Sequence, residues 1–136
     1  MQCLYFALDL KDDPALIESY EKWHRPERIW PEVVDFLRAS GIEQIEIFRC
    51  GNRLVMAMEV PETFSATAHV VRANADKSLS AWEELMWKFQ QALPFATPGE
   101  KWVPMARNIL LEGGGQDACG NSVSRLALRS SPAEPS

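Results

Sequence analysis

The chain predicts an α+β domain of the ferredoxin-like kind, a βαββαβ subunit built on an antiparallel sheet. Two alternating apolar segments, residues 42–50 and 53–60, flank Gly51-Asn52 and read as a hairpin. Helical signals come in pairs on either side of that hairpin. Strand-like segments open and close the domain, at residues 2–10 and 101–111. Strand, helix pair, strand, strand, helix pair, strand is the split βαβ order.

Each element has a local cause. Residues 2–10 are aromatic and aliphatic until Lys11-Asp12-Asp13 stops them. Asp13 before Pro14 is a cap followed by a first-turn proline. The helix it opens carries Leu16, Ile17 and Tyr20 on one side, with Trp23 and His24 a turn further on. Arg25-Pro26 ends it, because a residue before proline is pushed out of helical angles. Pro31-Glu32 starts a second helix, the glutamate suiting the positive end of the helix dipole. Val33, Val34 and Leu37 form its apolar face, and Gly41 terminates it. In the hairpin, Ile45 and Ile47 share one face, and Gln44, Glu46 and Phe48 the other. Pro61-Glu62 opens a mostly helical stretch to about residue 75, broken at Lys77-Ser78. A stronger helix follows over 79–93, with the stripe Leu79, Trp82, Leu85, Met86, Phe89 and Leu93. Pro104 makes the last strand, 101–111, an edge strand.

The 136 residues suggest one folded domain over 1–112. Beyond it, Gly-Gly-Gly, several serines and a Ser-Pro-Ala-Glu-Pro-Ser ending read as a flexible tail over 113–136. Val123, Leu126 and Leu128 offer at most a short strand or turn there. A sheet apolar on both faces, with Phe48 opposing Met and Leu positions, needs a second cover, and another copy of the chain supplies one, so a homodimer is expected. A net charge of −5 argues against a nucleic-acid partner. No apolar run reaches the roughly 20 residues of a membrane span. The N-terminus lacks a basic leader region. Cys3, Cys50 and Cys119 match no zinc spacing, and buried Cys3 and Cys50 thiols in a reducing cytoplasm are the expectation.

The chemistry concentrates between Tyr20 and Glu32. Tyr20 and His24 lie four residues apart, on one side of a helix that extends so far. Imidazole takes and gives protons near neutral pH, and a phenol beside it suits proton transfer to a small polar substrate. The competing local reading is a histidine that caps the helix C-terminus. Trp82 lies on a core stripe, and its functional reading is a platform against which a sugar ring stacks. Trp30 reads as a staple for the second helix, and His69 as an isolated helix residue. Glu46 and Glu59, on adjacent strands, read as a solvated pair. No phosphate loop, nucleophile elbow or metal-spaced cluster is present in the sequence.

The run Tyr20…His24-Arg25-Pro26, then Trp30-Pro31-Glu32, resembles the L-rhamnose/L-fucose mutarotase family. Gly41-Ile42, Asn52, Leu54, the Met58-Glu59-Val60 strand end and Trp82 also fall where that family has its hairpin and helix tryptophan, and the resemblance spans about residues 1–112. It implies a dimeric α+β barrel of ferredoxin-like subunits that interconverts the α and β anomers of a 6-deoxyhexose, L-rhamnose or L-fucose, by general acid/base catalysis without cofactor or metal. By position it implies His24 as the catalytic acid/base, protonating the ring oxygen as imidazolium. Tyr20 then contacts the sugar and Trp82 lines the pocket; the second proton-transfer partner is Tyr20, or alternatively a water or Glu32. The family's rhamnose members carry a tyrosine where this chain has Ile45 and a second tryptophan where it has Glu83. Residues 98–105 look like the branch linked to L-fucose. The competing functions are a small cofactor-free monooxygenase of the same dimeric fold and a non-catalytic sugar-binding dimer.

Overall fold

The computed structural model describes residues 1–111 and the backbone of 128–129. The chain runs β1 (Gln2–Leu10), α1 (Pro14–Trp23), α2 (Pro31–Ala39), β2 (Gln44–Cys50), β3 (Arg53–Val60), α3 (Ala66–Ala75), α4 (Lys77–Met86), β4 (Gln90–Gln91), β5 (Val103–Pro104), β6 (Leu110–Leu111) and β7 (Leu128–Arg129). The main sheet is antiparallel in the order β2-β3-β1-β4, with β5 also on β1. This is the expected ferredoxin-like order, with the fourth position shared between two short strands. β4 pairs with Asp9 and Leu10, and β5 with Phe6 and Ala7.

The hairpin forms as expected. Cys50 pairs with Arg53, which leaves Gly51 and Asn52 as a two-residue loop. Gly51 has φ 62°, a left-handed turn conformation that glycine adopts without cost. The Asn52 side-chain amide then donates to the Leu10 carbonyl at 3.0 Å, tying the turn to β1. The helices cover one face of the sheet. On that face Leu8, Leu10, Leu54, Met58 and Val60 are buried, joined by Tyr20, Val33, Leu79, Trp82 and Met86 from the helices. Full burial of each such side chain stabilises the fold by about 1.5–3 kcal/mol.

Several expectations are corrected. The stretch after Pro61 becomes helical only at Ala66, because Ser65 accepts from the Ala68 N–H at 3.1 Å and starts the helix there. The break between helices falls at Asp76 rather than Lys77-Ser78. Asp76 leaves helical angles and its carboxylate accepts from the Leu79 N–H at 3.0 Å. The last helix ends at Met86, well before residue 93. The Lys88 and Phe89 N–H groups bond three residues back, a tightened final turn, and Gln90-Gln91 is taken up by β1 as an edge strand. Phe89 and Leu93 are buried, as the stripe implied, but from beyond the helix. Of residues 101–111 only Val103–Pro104 joins the main sheet. Leu110–Leu111 pairs instead with Leu128–Arg129.

The outer sheet face is less apolar than expected. Phe48 lies opposite Val55, while Leu54, Met56 and Met58 alternate toward the helices. Gln44, Glu46, Glu59 and Arg53 share the outer face with Phe48, which is 54% exposed. Glu46 takes a hydrogen bond from Gln44 and sits opposite Ala57, not Glu59. Cys50 is exposed rather than buried, and Cys3 is half-buried and disulfide-bonded. No helix of the described residues is long and apolar enough to cross a membrane. The tail expected over 113–136 lies, apart from 128–129, outside the described residues.

Candidate active site

The C-terminal end of α1 builds the site. Asp13 accepts from the Ala15 and Leu16 N–H groups at 2.9 and 3.2 Å, which fixes the start of the helix. Ten residues later the helix stops with His24 at its C-cap, and the His24 N–H turns back onto the Glu21 and Lys22 carbonyls. The ring follows the backbone, with Nδ1 2.9 Å from the Tyr20 carbonyl oxygen. A carbonyl only accepts, so Nδ1 carries the hydrogen and the neutral ring holds its lone pair on Nε2. The capping reading and the proton-transfer reading of His24 therefore describe one arrangement. The cap consumes Nδ1 and leaves Nε2 for chemistry.

Tyr20 and His24 stand side by side, ring centroids 4.3 Å apart. Both line a concavity of about 220 Å³ together with Glu21, Ile47, Arg49 and Leu54. That volume lies below the range of about 300–1,000 Å³ typical of drug-sized sites, and it suits a single small ring. Trp82, from α4, stands edge-on to His24 with centroids 5.6 Å apart. Trp30 and Trp23 pack edge-on against it at 5.3 and 6.4 Å. Trp82 is only 5% exposed and is not among the residues lining the concavity. The structure thus brings all three expected residues together, with Tyr20 and His24 on the wall and Trp82 behind the imidazole.

Burial dominates the electrostatics. It holds the His24 pKa below the usual 6.5, against the smaller upward pulls of the Tyr20 carbonyl and the Glu83 charge. His24 is therefore neutral at pH 7. Burial also pushes the Tyr20 phenol far above its ordinary range. The Gln90 side chain, hydrogen-bonded to it, works the other way, and Glu83 adds to the rise. Tyr20 thus stays protonated and acts as a hydrogen-bond donor. Gln90 is buried, and its Oε1 has no partner among the described residues. Glu83 holds Lys101 at 2.7 Å, and Lys101 also donates to the Glu83 carbonyl and lies 4.6 Å over the Trp87 ring. This clamp ties α4 to the segment before β5. Among the described residues, no three His, Cys, Asp or Glu side chains converge as a metal site.

Sequence reasoning passed over Glu21, Arg49, Leu54 and Gln90. A signal existed for Arg49, which falls two residues beyond Ile47 on the helix-facing side of β2, a basic residue on an otherwise apolar face. Gln90 was hidden by the expectation of a continuous helix.

A small ferredoxin-like domain with an imidazole and a phenol at the wall of a ring-sized hollow has the groups that acid/base chemistry on a small polar molecule needs. The comparisons make this specific. Residues 4–108 match the family described as L-rhamnose mutarotase, and the chain belongs to that family. An L-fucose mutarotase of Xanthomonas campestris pv. campestris is 55% identical over 111 residues, 82% of this chain and 89% of that protein. A UPF0734 protein of Dictyostelium discoideum is 36% identical over 103 residues, 73% of this chain and 81% of its own. The crystal structure of an L-rhamnose mutarotase from Formosa agariphila superposes with a TM-score of 0.60 at 18% identity, covering 82% of this chain and all of that one, and shows the shared fold.

Proposed function

We propose that the protein is an aldose 1-epimerase that interconverts the α and β anomers of a 6-deoxyhexose, with His24 as the proton-transfer group, Tyr20 as a sugar-contacting group, and Trp82 packed behind the imidazole rather than against the sugar. The observation that carries the mechanism is the Tyr20 carbonyl bond to Nδ1, which leaves Nε2 as a base beside a protonated phenol. The 55% identical L-fucose mutarotase favours L-fucose over L-rhamnose as the substrate.

Anomers exchange through the open-chain aldehyde. The Nε2 lone pair removes the proton of the anomeric hydroxyl. The bond from the anomeric carbon to the ring oxygen breaks, and the imidazolium returns the same proton to that oxygen. Both oxygens are attached to one carbon, so a single histidine reaches each in turn. Tyr20 donates a hydrogen bond to the sugar throughout. After rotation about the adjacent carbon–carbon bond, the steps reverse and close the ring on the other face. The expected sequence, imidazolium first, is thereby inverted, because burial keeps the resting imidazole neutral. These are proton transfers between oxygen atoms, and the proposal includes no cofactor. Trp82 contributes through its edge against His24 and the small surface it retains.

We further propose that a second copy covers the outer sheet face around Phe48, that residues 1–112 form the functional domain, and that the enzyme is cytoplasmic.

The function is tested by saturation-transfer NMR of L-fucose, L-rhamnose and D-glucose with the wild-type protein. Faster anomer exchange of L-fucose is expected. Binding without faster exchange of any sugar contradicts a catalytic role.

A further inference from the structure

The hollow beside His24 is lined by both apolar and charged groups. Ile47 and Leu54, neighbours on β2 and β3, offer only methyl and methylene groups. Arg49, two residues beyond Ile47 on the same face of β2, lies directly across from Leu54, and Glu21, next to Tyr20 on α1, reaches Arg49 from the helix layer. Arg49 Nε donates to Glu21 Oε2 at 3.0 Å, and the same guanidinium donates to the Gly51 carbonyl at 2.8 Å. A guanidinium has five N–H donors, so several remain for a ligand, as does the second carboxylate oxygen of Glu21. The two bonds hold the fork in place before any ligand arrives. Solvent still reaches the pair, whose side chains are 37% and 51% exposed. An exposed ion pair of this kind adds little to stability.

Resting on the mutarotase reading, we infer that Glu21, Arg49, Ile47 and Leu54 are the residues that select the sugar. Arg49 and Glu21 take neighbouring ring hydroxyls through charge-assisted hydrogen bonds. The Ile47–Leu54 surface takes the C6 methyl. A 6-deoxyhexose has one end without a hydroxyl and a ring edge dense with them, and the hollow carries a group suited to each. A hexose with a 6-hydroxyl would place that group on the apolar surface, where it finds no partner. Such a surface rejects an added hydroxyl only modestly, by up to about 10²-fold. The division of labour with His24 is sharp: His24 moves the proton, whereas Arg49 and Glu21 bind the substrate alike in ground and transition states.

The test compares L-fucose with L-galactose, which differ only by the 6-hydroxyl, in the wild type, Arg49→Met, Glu21→Gln and Ile47→Thr. Near-UV circular dichroism confirms folding, which the exposed positions of Arg49, Glu21 and Ile47 favour. The wild type should exchange L-fucose with kcat/KM about 10–100-fold above L-galactose. Arg49→Met and Glu21→Gln should each raise KM for L-fucose about tenfold or more while kcat changes by less than about threefold. Ile47→Thr should narrow the preference for L-fucose over L-galactose by about fivefold or more. An unchanged KM in both charge variants, or an unchanged sugar preference in Ile47→Thr, overturns the inference. A wild type that accelerates neither sugar overturns the mutarotase reading instead, so the two failures are distinct.

Discussion

At the scale of single residues, the decisive feature is how His24 spends its two nitrogens. Nδ1–H is committed to the Tyr20 carbonyl, and burial keeps Nε2 unprotonated at neutral pH. The pH–rate profile should therefore rise with pH, with its midpoint below 6.5, and stay flat through pH 7–8. A profile falling across pH 6–8 would mean that imidazolium is the resting form. Tyr20→Phe should retain the fold and lose about tenfold in kcat/KM, the value of one hydrogen bond at the reacting sugar. Spacing alone placed Tyr20 and His24 on one side of a helix, and they meet there. Spacing could not choose between capping and catalysis, because the capping bond itself frees Nε2. Glu21 and Arg49 were not legible, since their meeting depends on how α1 lies over the end of β2, a tertiary fact.

At the scale of elements, the site depends on where helices start and stop. α1 ends at His24, the proposed proton-transfer residue, and the Asp76 cap starts α4 so that Trp82 reaches His24. Asp76→Ala should remove the bond to the Leu79 N–H and destabilise the protein by about 1 kcal/mol, seen as a lower urea midpoint at constant slope. An unchanged midpoint would mean that the α3–α4 junction is held by packing alone. Caps and turns were the readable part of this chain: Asp13-Pro14, Pro31 and Gly51-Asn52 all act as their local chemistry dictates. The end of α4 was not readable. The stripe through Phe89 and Leu93 keeps helical spacing, yet hydrogen bonding to the free edge of β1 claims Gln90 and Gln91. A sheet edge in need of partners overrides a local periodicity.

At the scale of the whole molecule, burial of two imidazoles contributes to the response to acid. His69 packs between Phe36 and Phe64, with ring centroids 5.5 Å from each, and its buried Nδ1 has no partner among the described residues. Burial lowers its pKa, as it does for His24. Below pH 6.5 the unfolded chain therefore binds more protons than the folded one. The stability is fully present above 6.5 and is lost as pH falls from there toward the lower folded values. His69→Leu should shrink the difference in unfolding free energy between pH 7 and pH 5, measured by urea titration at both. An unchanged difference would show that His69 is not a source of acid sensitivity. The second copy proposed for the outer face is tested by Phe48→Lys, expected to sediment as a monomer where the wild type sediments as a dimer. The strand order was readable from the alternation of elements. The composition of the outer face was misjudged, because Met56 and Met58 fall on the helix-facing side of β3 and leave Phe48 beside Val55. Anomer exchange of L-fucose at pH 7, followed by saturation-transfer NMR with wild type and His24→Ala at equal concentration, tests the central claim most directly. The variant should keep its circular dichroism spectrum and lose about 10²–10⁴-fold of the exchange rate, whereas a folded His24→Ala that exchanges L-fucose as fast as wild type would contradict the claim.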